Sequence, residues 1–199
     1  MKSFVTLTAP AHHRDDVKDS VFLAYAARAD SEKDAFAFLR EVLDRHRDAS
    51  HLCWAYRLAG NYRYSDGGEP AGTAGQPILR AIEGQGLDHV VVGVIRYFGG
   101  TKLGTGGLAR AYGGAASEAL RQAPRREETP MITVQVRLGF ESTGIGYRIF
   151  DSVNATRLGE TFDEHGVVLT ASLPVGELSK LRQALADATR GQAEWLSEG

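Results

Sequence analysis

The segment from residue 88 to residue 110 reads DHVVVGVIRYFGGTKLGTGGLAR and decides the fold of the first half of the chain. Its first part, residues 88–98, is a nearly unbroken apolar run, which predicts a central strand buried on both faces of a sheet. The glycine-rich second part predicts a tight loop that leads into a helix. One face of this helix carries Leu108, Tyr112, Ala115 and Ala119.

A second glycine-rich loop, residues 65–77, reads SDGGEPAGTAGQP and follows a predicted strand at His51–Leu58. Pro77 lies where the first turn of a short helix is expected. Ordered glycines are unfavourable unless the backbone needs a positive φ or another group approaches closely. The N–H groups of such loops bind anions at the start of a helix. Both loops are therefore candidate anion-binding sites.

The composition limits the class of protein. The chain has 199 residues, of which 43% are hydrophobic and 24% charged, and this predicts one large or two small domains. Cys53 is the single cysteine, so an intrachain disulfide is excluded and a reducing compartment is expected. No apolar run has the length of a signal peptide or a membrane span. We expect a cytoplasmic protein that does not bind membranes.

Pro124–Pro130 is charged, bounded by prolines and without apolar periodicity, which predicts a linker between domains 1–123 and 131–199. In the first domain, a strand at Ser20–Ala29 and a helix capped by Ser31 join the elements above in an α/β sandwich. The buried stripe predicted for that helix contains Ala35, Phe36, Phe38, Leu39, Val42 and Leu43.

The second domain has a different order of elements. We predict a strand at 131–138, a helix at 142–156, a hairpin of strands 158–162 and 166–173, a helix ending near Gly191 and a last strand at 193–196. Ile145, Ile149 and Val153 are predicted on the inner face of the first of these helices. The order β-α-β-β-α-β is the ferredoxin-like pattern, so the fold class of the chain is α+β.

Three motifs together resemble the Impact (YigZ-type) family in its bacterial two-domain form. They are residues 50–57 (SHLCWAYR), residues 65–79 and residues 96–104. The resemblance implies a first domain similar to the second domain of a small-subunit ribosomal protein, and a second domain similar to the last domain of the translocation elongation factor. It also implies regulation of translation or ribosome-associated nucleic-acid binding; eukaryotic relatives bind a co-activator of a starvation-responsive kinase.

The chain departs from the family pattern in two places. Gly67 stands where the first loop usually has a second acidic residue, and this weakens a carboxylate pair as an interpretation of the loop. The early strand follows Val17-Lys18-Asp19 rather than the usual basic cluster, which removes positive charges that contact a phosphate backbone.

The residues of the two loops each have a structural and a functional interpretation. Asp66 and Glu69 either bind a cation or cap the next helix, and isolated carboxylates favour capping because hard cations take several oxygen ligands. Lys102 either contacts a phosphate held by the N–H groups of Gly106 and Gly107, or belongs to a loop that only turns tightly.

Three arginines and two tyrosines are predicted to share one edge with the loops: Arg57, Arg96, Arg110, Tyr62 and Tyr97. Arginine beside an aromatic ring suits nucleic-acid binding, although many surface strand ends have the same composition. The candidate binding residues are Arg57, Asp66, Glu69, Thr73, Arg96, Tyr97, Gly99, Gly100, Lys102, Gly104, Gly106, Gly107 and Arg110.

No catalytic motif is evident: a Ser-His-Asp order, a P-loop and a dinucleotide fingerprint are all missing. His12 and His13, in a segment predicted to be flexible, lack the further ligands of a zinc site. We therefore expect a protein that binds rather than catalyses, with no cofactor and no metal, and with RNA or a ribosomal surface as its partner. Two alternatives stay open: an enzyme or sensor for a phosphorylated small molecule, and a module that binds a protein partner.

Overall fold

The computed structural model describes residues 3–199, which fall into two compact units. One unit is Phe4–Glu128 and the other contains Thr129–Gly199. Each combines helices with a β-sheet, and this confirms the predicted α+β class. Within residues 3–199, no helix is long and apolar enough to cross a membrane.

The first unit is built on an antiparallel sheet. Its elements are β1 (Phe4–Leu7), β2 (Ala11–Val17), β3 (Ser20–Arg28), α1 (Glu32–Arg45), β4 (His51–Leu58), β5 (Asn61–Ser65), α2 (Gly75–Gly84), β6 (Val90–Tyr97), α3 (Gly104–Gln122) and β7 (Arg125–Glu128). Five of them form one sheet in the order β2-β3-β6-β4-β5. His12 and His13 lie in β2 and pair with β3, so this segment is an ordered strand and not the flexible start that was predicted.

Strand β6 lies at the centre of the sheet, between β3 and β4. Every residue from Val90 to Arg96 is buried. Val92 and Val94 pack in the cluster that includes α2 and α3, whereas Val91 packs in the cluster that includes α1 on the opposite face. The apolar run therefore forms the strand buried on both faces that the sequence predicts.

Helix α1 begins as predicted, because the Ser31 hydroxyl oxygen accepts a hydrogen bond from the Asp34 N–H at 3.2 Å. Its buried stripe is narrower than predicted: Phe36 and Leu43 are 39% and 47% exposed. Phe36 lies at the margin of the helix, where its ring packs edge-on against Trp54 at 5.3 Å between centroids.

Most of the segment predicted as a linker belongs to the first unit. Strand β7 pairs antiparallel with β1, and the Thr8 N–H donates to the Pro124 carbonyl at 2.9 Å. Arg28, at the end of β3, forms an ion pair with Glu128 in which Nη2 lies 2.9 Å from Oε2. The boundary between the units therefore falls between Glu128 and Thr129, within Pro124–Pro130, and residues 125–128 form a strand of the first unit. A short charged strand that pairs through its backbone needs no apolar periodicity, so the sequence pattern does not reveal it.

The second unit contains β8 (Met131–Leu138), α4 (Thr143–Ser152), β9 (Thr156–Asp163), β10 (Gly166–Pro174), α5 (Leu178–Thr189) and β11 (Glu194–Glu198). Its antiparallel sheet has the order β11-β8-β10-β9. The inner face of α4 carries Gly146 and Phe150, and the predicted Ile145 is exposed. The inner face of α4 needs a glycine at position 146, because a Cβ there would lie 2.2 Å from the Leu138 side chain.

Candidate binding site at the start of helix α3

The two glycine-rich loops lie at the same end of the five-stranded sheet. β4 begins and β6 ends there, because His51 pairs in register with Arg96. The first loop runs from β5 to α2, and the second runs from β6 to α3. An open cavity of about 360 Å³ lies between them. Its lining residues are His51, Glu69, Pro70, Arg96, Phe98, Lys102, Leu103, Gly104, Thr105 and Leu108.

Asp66 organises the first loop. Its carboxylate accepts hydrogen bonds from the backbone N–H groups of Gly72, Ala74 and Gly75 at 2.8, 3.0 and 2.9 Å. Partial burial raises the pKa of this carboxyl group, but the three N–H donors outweigh it, and the pKa is lowered. Asp66 thus caps the start of α2, which is the structural role that the sequence favours.

Glu69 is drawn into the interior by two donors. Its Oε1 accepts a hydrogen bond from Arg96 Nη1 at 2.7 Å and another from the Tyr112 hydroxyl at 2.8 Å. The side chains of Glu69 and Arg96 are 4% and 6% exposed, so this ion pair is buried although both residues line the cavity. Arg96 also lies 5.2 Å from the ring centroid of Phe98, a cation–π contact beneath a half-exposed ring.

Two ionisable groups, Cys53 and Tyr112, lie in the interior next to this ion pair. The Cys53 thiol donates a hydrogen bond to the Asp66 carbonyl at 2.9 Å, and burial raises its pKa to about 12. Burial likewise raises the pKa of Tyr112. Both groups stay protonated at neutral pH, so Cys53 is not an activated nucleophile. In residues 3–199, no group of three or more His, Cys, Asp or Glu side chains is arranged to hold a metal ion.

A strained hairpin supports the second loop. The turn between β2 and β3 places Lys18 and Asp19 at φ values of 45° and 67°, in the left-handed region. Gly99 packs directly on this turn: a Cβ there would lie 2.0 Å from the Asp19 carbonyl oxygen. The Ser20 hydroxyl oxygen accepts a hydrogen bond from the Gly99 N–H at 3.2 Å. Gly99 is therefore needed for close approach, and the contact fixes the path of the loop.

Three basic residues line the cavities beside the first turn of α3, together with the carboxylates of Asp15 and Glu69. Lys18, Lys102 and Arg110 are exposed, and their side chains make no ion pair or hydrogen bond with any residue in the described range. Lys18 and Arg110 line a second cavity of about 270 Å³ beside the first. Leu103 lines both cavities, so the start of α3 separates them.

Two of the predicted site residues lie elsewhere. Arg57 pairs in register with Val90 at the opposite end of β4, roughly 20 Å from Arg96 at about 3.3 Å per residue, and its Nε lies 3.7 Å from Asp88. Tyr97 follows Arg96 in the strand and points to the opposite face, where its hydroxyl contacts His46 and Asp48 at 2.9 and 3.2 Å. The predicted edge of arginines and tyrosine is therefore not a single surface.

The remaining predicted residues serve the loop itself. Thr73 is buried, and its hydroxyl donates to the Pro70 carbonyl at 2.6 Å. Gly100 and Gly104 have φ values of 91° and 70°, and this explains why glycine stands at both turns. Gly106 lies in the first turn of α3, where N–H groups lack an intrahelical partner, whereas Gly107 is the first residue whose N–H donates within the helix.

The structure adds residues that sequence reasoning did not select. Lys18, His51, Phe98 and Tyr112 all contribute to the cavities or to the buried ion pair. Alternation along β4 and β6 would have placed His51 and Arg96 on the same face, opposite Tyr97, and is the one signal that could have found part of this set. No sequence pattern indicated Lys18, because its position depends on the unusual turn between β2 and β3.

Comparisons with known proteins agree on one family. The Impact N-terminal domain matches residues 18–120. The chain is 46% identical over 179 residues to an IMPACT family member of Thermus thermophilus, covering 88% of this chain and 97% of the relative. It is 34% identical over 204 residues to the IMPACT family member YigZ of Escherichia coli (strain K12), covering 99% and 98% of the two chains. A crystal structure described as that of a hypothetical protein is similar with a TM-score of 0.69 and 32% identity, over 99% of this chain and 98% of the other.

Proposed function

Because this chain belongs to the Impact family, we propose that it acts in translation by binding RNA, either free or on the ribosome, at the cavity beside the start of α3. The resemblance of the sequence motifs supports the link to translation, and a cytoplasmic location is part of the same proposal. The β-α-β-β-α-β order of the second unit supports its assignment to the ferredoxin-like architecture.

One observation carries the RNA-binding proposal. Lys18, Lys102 and Arg110 line the two cavities beside the first turn of α3, and their side chains lack a partner within residues 3–199. Cations that pair with no carboxylate of the same chain remain available for phosphate groups. The unpaired N–H groups at the start of α3 and the positive end of its dipole also attract a phosphate group.

The aromatic ring of Phe98 supports RNA over an isolated phosphate ion. It is half-exposed at the rim of the cavity, and Arg96 occupies one side of the ring. Single-stranded nucleic acids bind proteins through phosphate contacts combined with base stacking on such rings. A nucleotide with its base on Phe98 and its phosphate near Lys102 would use both features.

The test measures the affinity for an oligouridine RNA of about eight nucleotides, a length within the usual site size. Lys102→Ala and Arg110→Ala should each weaken binding and lower the slope of log affinity against log salt by about 0.7, the value for one phosphate contact on a single strand. Arg40→Ala is the matched control, because Arg40 is exposed on α1, which packs on the opposite face of the sheet. Unmeasurable RNA binding at low salt, or the same slope in all three variants, would contradict the proposal.

A second candidate function is recognition of a phosphorylated small molecule. The cavity of about 360 Å³ has the size of a small-ligand site, and it combines apolar walls at Pro70 and Leu103 with a few polar groups. Titration with uridine monophosphate distinguishes the two functions. Saturable binding as tight as that of the oligonucleotide would favour the small molecule, whereas binding that strengthens with chain length favours RNA.

A further inference from the structure

The second carboxylate oxygen of Glu69 is the unexplained group of the cavity. Oε1 is occupied by Arg96 and Tyr112, but Oε2 accepts no hydrogen bond from any residue in the range 3–199. The side chain is 4% exposed and lines the cavity. Among residues 3–199, the buried side-chain polar atoms without a partner are on Arg57 and Arg96, so Oε2 is open to the cavity. A carboxylate oxygen accepts more than one hydrogen bond. A ligand that fills the cavity is therefore expected to supply a donor to Oε2.

His51 presents a second acceptor to the same space. Its Nδ1 lies 3.0 Å from the Gly67 carbonyl oxygen, which can only accept, so Nδ1 carries the proton. In the neutral ring, Nε2 then has a free lone pair, and it lies 3.9 Å from Glu69 Oε1. Two acceptors therefore line the cavity, together with the unpaired cation Lys102 and the first residues of α3. A hydroxyl group can donate to these acceptors, whereas a phosphodiester has no proton to donate.

The order of groups in a nucleotide suits the residues that line the cavity. The ribose lies between the base and the phosphate, so a base stacked on Phe98 with its phosphate near Lys102 places the sugar within the cavity that Glu69 lines. We propose that the Glu69 carboxylate accepts a hydrogen bond from a ribose 2′-hydroxyl and thereby selects RNA over DNA. This inference rests on the proposed function, because it requires a nucleic-acid strand in the cavity.

The experiment compares three oligomers of equal length on the full chain: oligouridine, oligodeoxyuridine and 2′-fluoro-oligouridine. The last two lack the 2′-hydroxyl donor. The unmodified protein should bind oligouridine about tenfold more tightly than either, as expected for one hydrogen bond to a charged acceptor. In Glu69→Gln the Oε2 acceptor is replaced by an amide, and the preference should fall to about twofold or less. Oligodeoxyuridine does not use the carboxylate, so its unchanged affinity in the variant shows that the site is still folded.

The possible outcomes distinguish a failure of the role of Glu69 from a failure of the proposed RNA binding. Equal affinity of the unmodified protein for all three oligomers would overturn the role of Glu69 and leave nucleic-acid binding intact. A tenfold preference that persists in Glu69→Gln would overturn it as well, since the selectivity would then come from another group. Binding of none of the oligomers would refute the proposed function and this inference together.

Discussion

Arg96 and Glu69 form an ion pair at 2.7 Å in which neither side chain is more than 6% exposed. The two residues are 27 positions apart and belong to β6 and to the first glycine-rich loop, so the pair holds that loop against the sheet. Loss of one member of a buried pair leaves the other charge without compensation, which is more costly than loss of both.

We predict that the two members are strongly coupled in stability. Arg96→Met should lower the free energy of unfolding by about 3 kcal/mol, because it leaves the Glu69 carboxylate unpaired. Glu69→Gln should cost about 2 kcal/mol, since an amide oxygen still accepts from Arg96 but no longer compensates its buried charge. Urea unfolding of both single variants and the double variant gives the coupling. A double variant whose loss equals the sum of the single losses within about 0.5 kcal/mol would contradict the prediction.

The glycines of the second loop and of α3 should respond oppositely to alanine. Gly99→Ala would place a Cβ 2.0 Å from the Asp19 carbonyl oxygen, so the hairpin must move, and we expect a loss of more than about 2 kcal/mol. Gly114→Ala is the matched control, because Gly114 is exposed in α3 and has open space around it. It should stabilise the protein by about 0.5 kcal/mol or more. Denaturant midpoints measure both effects, and a neutral Gly99→Ala would show that the contact with Asp19 is dispensable.

Much of the fold was predictable because buried residues give a recognisable apolar pattern in the sequence. The apolar run of β6 and the Ser31 cap of α1 are local signals, and each element lies where its signal places it. Strand β5 has four exposed residues, Asn61 to Tyr64, so its sequence shows no apolar alternation and the strand was not predicted. Strand β7 was mistaken for a linker for the same reason, since its charged residues pair through the backbone.

The site was predictable only in part, because its geometry is tertiary. The glycine density indicated both loops, and the predicted residues Lys102 and Arg110 line the cavities at the start of α3. The contact of Glu69 with Arg96 and Tyr112 joins segments 27 and 43 residues apart, which no local pattern records. The predicted arginine edge failed because Arg57 lies at the far end of β4.

The ion pair of Arg28 with Glu128 predicts a pH dependence of stability. Hydrogen bonding to Arg28 is the main reason that the pKa of Glu128 falls from its ordinary value of 4.5 to about 2. A lowered folded-state pKa stabilises the protein fully above the unfolded value and is lost as the pH falls. The stability difference between the unmodified protein and Glu128→Gln should therefore be constant above pH 5 and disappear between about pH 4.5 and pH 2. Melting temperatures across this range give the measurement.

The matched control for this titration is Glu83→Gln, because Glu83 is exposed on α2 and its side chain makes no ion pair or hydrogen bond within the described range. Its difference from the unmodified protein should stay flat over the same pH range. A Glu128→Gln difference that is equally flat would mean that the ion pair does not contribute to stability in solution.

Strand β7 should be required for full stability of the first unit. We propose that the first unit folds alone, and we predict that a fragment ending at Glu128 unfolds cooperatively. A fragment ending at Ala123 loses the pairing of β7 with β1 and the partner of Arg28. Its melting temperature should be at least about 5 °C lower, the shift expected for a loss of about 1 kcal/mol. Equal melting temperatures of the two fragments would assign β7 no role in stability.

The start of α3 should bind an oxyanion even in the absence of RNA. The N–H groups up to Gly106 at the start of the helix have no intrahelical partner, and the amide of Gly107 is the next along the chain. Millimolar inorganic phosphate should therefore shift the amide resonances of Gly106 and Gly107 in a nuclear magnetic resonance titration. The amides of Gly113 and Gly114, in the interior of the same helix, are the internal control and should not move. Lys102→Ala should weaken the response, because the lysine supplies a charge at the same cavity. Unshifted resonances of Gly106 and Gly107 would leave the loop with a purely structural role.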